Sequence, residues 1–216
     1  MNGSDKGEEL AYKALSELFH RYLTGLILAI VVELGEGRAA DVMKALFRRQ
    51  QEERFLPGLK KLGLSDEPDA IACAKYHFLS NHVGGVSVAY IAESDSKAWI
   101  CYLPPRWIFD GTAIAAIPTQ VARAMLWGWH ANNGVLLGNP SLGFVCTGQT
   151  MDGASGLEGY YIQEDRILEP HERLRFRFGE SCPPIDYEAL PKLDSRQWPS
   201  ERLNKAARNY SMDYIR

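Results

Sequence analysis

The sequence has no CxxC pair, no basic stripe and no signal-like start, and each absence narrows what the chain can be. Cys73, Cys101, Cys146 and Cys182 are widely scattered. A disulfide framework is therefore not written into the spacing, and reduced thiols in a cytoplasmic protein are the expectation. The opening Met-Asn-Gly-Ser-Asp-Lys-Gly-Glu-Glu is polar and acidic, without the basic-then-apolar pattern of a secretory signal. Lys and Arg total 24 against 27 Asp and Glu, a net charge of −3, and no Lys/Arg stripe stands out beyond Arg173, Arg175 and Arg177. Nucleic acid is thus an unpromising partner. The most apolar run, residues 22–34, falls short of the ~20 residues that cross a bilayer, so it is expected as a buried helix with no membrane partner.

What is present is enough for an ordinary folded domain. With 216 residues, 46% hydrophobic, the chain can bury a core without disulfide or metal staples. Residues 1–7 are expected to lack structure. The remainder divides into an α+β domain over 8–180 and, over 181–216, an extended arm with a C-terminal helix. Helix one spans about Glu8–Leu34, with Leu15, Leu18, Phe19, Tyr22, Leu26, Ile30 and Val31 as its buried stripe. Helix two spans about Arg38–Phe55 and is broken by Pro57-Gly58. Its charged residues Arg48, Arg49, Glu52, Glu53 and Arg54 read as a solvated face. A third helix, with Pro68 in its first turn, ends at Gly84-Gly85.

From Val86 the period changes to two. Val86–Ile91 and Ala98–Leu103 form a hairpin around Glu93–Ser96, and Pro104-Pro105 stops the second strand. A second hairpin pairs 142–148 with 158–163, and Leu174, Phe176 and Phe178 make a fifth strand. The predicted architecture is therefore N-terminal helices packed on an antiparallel sheet, built from two hairpins that flank a central helix.

That central helix begins near Thr119. Val121, Met125 and Trp129 recur on one face, and Asn133-Gly134 is read as its end. His130 sits there between two tryptophans and two asparagines. Helix-end placement favours a protonated ring and a raised pKa, which would suit a general base; a plain C-cap histidine is the alternative reading. Cys101 is a second candidate, as a nucleophile or as a small buried hydrophobe beside Trp99 and Leu103. Arg106, after two prolines and before Trp107, suits a carboxylate ligand as well as it suits plain surface stacking. Glu158 and Tyr161, on the second hairpin, could orient a ligand. Cys73, His77 and His82 invite a metal check. His82 lies more than a turn beyond the other two and no carboxylate completes the set, so no metal is expected; His77 reads as a satisfied helix residue and His82 as lying at the mouth of the sheet.

Three short motifs carry a resemblance. Cys101-Tyr-Leu-Pro104, Asn139-Pro140 and Met151-Asp-Gly-Ala-Ser155 follow in the order seen in the L-2-amino-thiazoline-4-carboxylate hydrolase family, whose relatives include ligand-binding domains of vinyl-reductase type. The chain resembles that family over roughly residues 10–165. The resemblance implies a helix-plus-sheet fold and hydrolysis of a small ring compound through thiols. Two departures alter that implication. His130, Asn132 and Asn133 stand where the family has a helical cysteine and an acid, and Leu157 with Glu158 replaces a cysteine after the Gly-Ala-Ser bend.

These readings converge on a small-molecule hydrolase or lyase that cleaves a C–N or C–S bond in a carboxylate-bearing substrate. His130, Cys101 and Glu158 would be catalytic, and Arg106, Asn133, Trp129, His82 and Tyr161 would bind the substrate. No cofactor is expected, and the helices could support a homodimer. A non-catalytic ligand-binding or sensor domain is the alternative. It would show an apolar pocket with few polar contacts, where an enzyme would bring ionisable groups together.

Overall fold

The computed structural model describes residues 3–103 and 116–212. Helix α1 (Gly3–Leu34) begins five residues before Glu8, within the tail expected to lack structure. The apolar face expected on this helix is also displaced. Ile27 and Thr24 are fully buried, whereas Leu18, Tyr22 and Leu26 are exposed. The stretch Leu10–Leu34 is long and apolar enough to cross a membrane, and only 11% of its most apolar window is buried, so the helix packs by the face around Ile27 and leaves much of its apolar surface uncovered.

Helix α2 (Glu36–Leu62) runs through Pro57 instead of stopping before it. Its buried positions Ala39, Met43, Phe47, Gln51, Phe55 and Leu59 repeat every fourth residue, a stripe that drifts slowly around the helix. One polar residue, Gln51, sits in the middle of that stripe. Helix α3 (Asp69–Val83) starts after Pro68 and is buried along most of its length. Helix α4 (Thr119–Gly128) crosses α2 so closely that a Cβ on Gly128 would lie 2.7 Å from the Lys44 carbonyl oxygen and from the Phe47 Cβ. Arg48 uses the same approach to cap α4, donating to the carbonyls of Gly128 (3.0 Å) and Trp127 (2.9 Å). It is therefore not part of a merely solvated face.

The chain does not stop at Asn133-Gly134. A 3-10 turn at His130–Asn132 leads into α5 (Asn133–Leu137), and Gly138, at φ 71°, supplies the left-handed residue that ends it.

The sheet runs in the order β1 (Val88–Ser94), β2 (Lys97–Tyr102), β4 (Leu157–Gln163), β3 (Leu142–Gly148), β5 (Leu174–Phe176). Its first three pairings are antiparallel, as expected, but β5 lies parallel to β3, so the sheet is mixed. After β4, residues 164–173 return along the sheet before β5 starts, which brings it in alongside β3 with the same direction. One face of the sheet, with Ile100, Phe144, Cys146 and Tyr161, packs on α3 and the end of α4. The other face gathers Trp99, Val145 and Tyr160, with Cys182 of the C-terminal arm packed against them. Helix α6 (Ser200–Met212) follows the arm and lays Tyr210 over Gly84, whose missing side chain leaves the space that the ring fills. The mixed α+β class predicted from the change of period is the one observed.

Candidate functional site

Between the helices and the sheet lies a cavity of about 360 Å³, within the size range of small-molecule sites. Phe47, Met125, Leu126 and Leu157 give it an apolar wall, and Trp198 of the arm with Tyr210 of α6 stands on the C-terminal side. His77, His130, Tyr102, Asn81 and Gln149 also face it.

A continuous hydrogen-bonded chain supports this wall from behind. Asn132 Nδ2 donates to Gln51 Oε1 (2.8 Å), and Gln51 Nε2 donates to Asn133 Oδ1 (3.0 Å). Asn133 Nδ2 then donates to the Tyr161 hydroxyl oxygen (2.8 Å), which directs the tyrosine's own proton to His77 Nε2 (2.9 Å). A neutral imidazole has one donor and one acceptor, so Nδ1 carries the ring proton and donates to the Tyr102 oxygen (2.9 Å). Asn81 continues the chain, donating to that oxygen (3.4 Å) while accepting from Tyr210 (2.8 Å). The links from Asn132 to Tyr102 run in one direction and those from Tyr210 through Asn81 run the other way, meeting at the Tyr102 oxygen. The chain explains why Gln51 is tolerated on an apolar stripe: both ends of its amide are satisfied.

His130 is held differently. Its ring stacks on His77 with centroids 4.4 Å apart and on Tyr161 at 6.1 Å, and tilts against Phe144 at 4.6 Å. Neither ring nitrogen has a hydrogen-bond partner among the described residues. Burial pushes its pKa down to about 3, and burial together with the His130 ring holds His77 well below the usual histidine range. The raised pKa expected from a helix end is therefore reversed. The helical path continues past His130 to Leu137, and the ring is only 8% exposed, so desolvation of the imidazolium outweighs the helix dipole. Trp129 Nε1 and Gln149 Oε1, both on the cavity wall, are likewise buried without a partner among the described residues.

The remaining predicted site residues separate. Trp129 lines the cavity, while Asn133 and Tyr161 belong to the chain behind it. His82 is exposed, stacked on Phe78 at 6.0 Å, and does not reach the cavity. Cys101 and Glu158 are cross-strand partners on the opposite face of the sheet, so His130 cannot act with them on one substrate. Arg106 lies outside the described residues.

Among the contributors not singled out from the sequence as site residues are His77, Tyr102, Asn81, Tyr210, Gln51 and Gln149. Two signals could have found two of them. His77 is one turn from Cys73 on a buried helix, and Gln51 interrupts an otherwise apolar four-residue repeat. Comparison with known protein families, with curated proteins and with solved structures gives no match.

Proposed function

We propose that the protein binds a small, neutral, largely apolar molecule whose polar head both donates and accepts hydrogen bonds. The observation that carries this reading is the unpartnered His130 ring in the wall of an apolar cavity. A buried donor or acceptor left unmade costs roughly 1–3 kcal/mol, and a ligand head that satisfies it recovers that cost. Trp129 Nε1 asks for an acceptor and Gln149 Oε1 for a donor, so a hydroxyl or amide suits the set. Both histidines are neutral near pH 7, which disfavours bringing a charged group alongside them.

The hydrolytic reading implied by the family resemblance has one supporting observation, the 2.9 Å contact between His77 and Tyr102 at the cavity wall. Such a pair could exchange a proton with a bound substrate. His130, with its depressed pKa and no group to orient it, is poorly suited to the same work at neutral pH.

Calorimetric titration with benzyl alcohol, benzamide, toluene and benzoate tests the binding reading. The alcohol and the amide should bind about 5- to 10-fold more tightly than toluene, the worth of roughly one net hydrogen bond. Benzoate should bind more weakly still, and His130→Phe should abolish the advantage of the alcohol over toluene. Equal affinity for toluene and benzyl alcohol in the wild type, or tightest binding of benzoate, would sink the proposal.

A further inference from the structure

On the opposite face of the sheet, three metal-ligating side chains from separate parts of the chain converge. Cys101 on β2 and Glu158 on β4 are directly paired across the strands. The arm after β5 brings Cys182 to them, and the two sulfurs and a carboxylate oxygen all lie within 4.8 Å of one another. Several bonds fix this placement. The Arg177 backbone N–H donates to the Cys146 carbonyl (2.9 Å), and the Tyr160 hydroxyl donates to Glu180 Oε2 (2.8 Å). The Cys182 backbone N–H donates to a Glu158 carboxylate oxygen, which orients that group and leaves its second oxygen available. Both cysteines are free thiols.

We propose that Cys101, Glu158 and Cys182 form a zinc site, with a fourth position open to water or to an exogenous ligand. Zinc takes sulfur at ~2.3 Å and carboxylate oxygen at ~2.0–2.2 Å, so tetrahedral ligand atoms stand roughly 3.3–3.8 Å apart. The three groups already lie within 4.8 Å of one another, close to that spacing. Two thiolates exclude magnesium and calcium, which prefer all-oxygen shells. Binding balances its charges: two protons leave the thiols, the two sulfurs and the carboxylate bind, and three negative charges meet two positive ones. Glu158 and Cys182 are partly exposed, so the fourth position faces solvent. The site would also pin the arm that carries Trp198 to the cavity on the other side of the sheet.

The test uses the full-length chain, reduced and freed of metal with a chelator, then titrated with cobalt(II) and afterwards with zinc. One equivalent of cobalt should bind, with sulfur-to-metal charge-transfer absorption in the near ultraviolet and the strong visible bands of a tetrahedral ion, and zinc should displace it. Cys182→Ser, which changes an arm residue outside the core, should weaken binding by more than about a hundredfold, beyond the loss typical of a residue that only orients a ligand. Glu158→Gln should keep the charge-transfer bands at lower affinity, and Cys73→Ala, on the other face, should leave the spectrum unchanged. Circular dichroism verifies that each variant is folded. A folded, reduced wild type that takes up neither metal overturns the proposal, including when it oxidises in air to a Cys101–Cys182 disulfide. So does Cys182→Ser binding cobalt as tightly as the wild type.

Discussion

The two faces of the sheet are made by alternate residues of the same strands, yet they handle polar groups in opposite ways. Toward the helices, Tyr161 and His77 are buried among aromatic rings, and their side-chain polar atoms are hydrogen-bonded within the chain behind the cavity. Toward the arm, Glu158, Cys182 and Glu180 stand in partial contact with solvent, and the polar groups can ionise. The difference comes from what covers each face. Helices cover a sheet with side chains and bury their own backbone bonds, which excludes water and favours neutral groups. An irregular arm leaves gaps through which charge is solvated. The cavity, largely apolar with buried neutral histidines in its wall, lies on the first side, and the two thiols and the carboxylate gather on the second.

The largest effect expected from this contrast is with pH. His130 has a folded pKa of about 3 against about 6.5 unfolded, so the unfolded chain binds more protons between those values. Its contribution is complete above pH 6.5 and is lost as the pH falls toward 3, amounting to on the order of 5 kcal/mol, with His77 acting in the same direction. Thermal melts at pH 8, 6, 5 and 4 should show a steep decline below pH 6.5, which His130→Phe makes shallower. Identical melting temperatures at pH 5 and pH 8 would mean that the helix-covered face is not dry.

A smaller effect is expected from breaking the hydrogen-bonded chain. Asn133→Leu preserves approximate volume but strands the Gln51 amide and removes a donor from Tyr161, at a cost of about 2–4 kcal/mol by urea denaturation. A loss under about 1 kcal/mol would show that water substitutes freely there, and that the two faces are more alike than described.

The smallest effect should come from the arm side. Glu180→Ala removes the partner of the Tyr160 hydroxyl, but Glu180 is exposed and solvent takes its place, so the loss should not exceed about 1 kcal/mol. Its signature is local: amide exchange over residues 177–199 should quicken while that of α3 stays unchanged. Equal quickening in both would indicate that the arm and the helix-covered core open together.

Much of the fold was legible because its elements follow from short-range rules. The shift of period at Val86, the prolines at 68 and 104–105, and the alternation through Leu142, Phe144 and Cys146 located helices and strands to within a few residues. Misreadings fell where packing overrode a local signal. Pro57 was taken as a break, but α2 is held along its length by its contacts with α1 and α4 and carries the proline within it. The stripe on α1 was inferred from composition, whereas the face that packs, around Ile27, depends on where α2 and α4 lie.

The candidate site was less legible for the same reason. His130, Trp129 and the neighbouring asparagines could be picked out as a cluster in sequence, but their state could not. Whether a histidine at that point is protonated or neutral depends on whether water reaches it, and water is excluded by Phe144, Tyr161 and His77, which are contributed by other elements. Likewise, alternation along β2 set Cys101 on one face with Trp99, and it is the cross-strand register that brings Glu158 to the same face. Only the packing of α3 on one side and of the arm on the other decided that this face is not the one bearing His130. The sequence by itself determined most of the helices and strands and the mixed helix-and-sheet class, because these depend on neighbours within a few residues. The cavity, the direction of its hydrogen bonds and the gathering of two thiols with a carboxylate were decided by tertiary structure alone, because desolvation and ligand geometry are set by groups 24 to 84 residues apart in the chain.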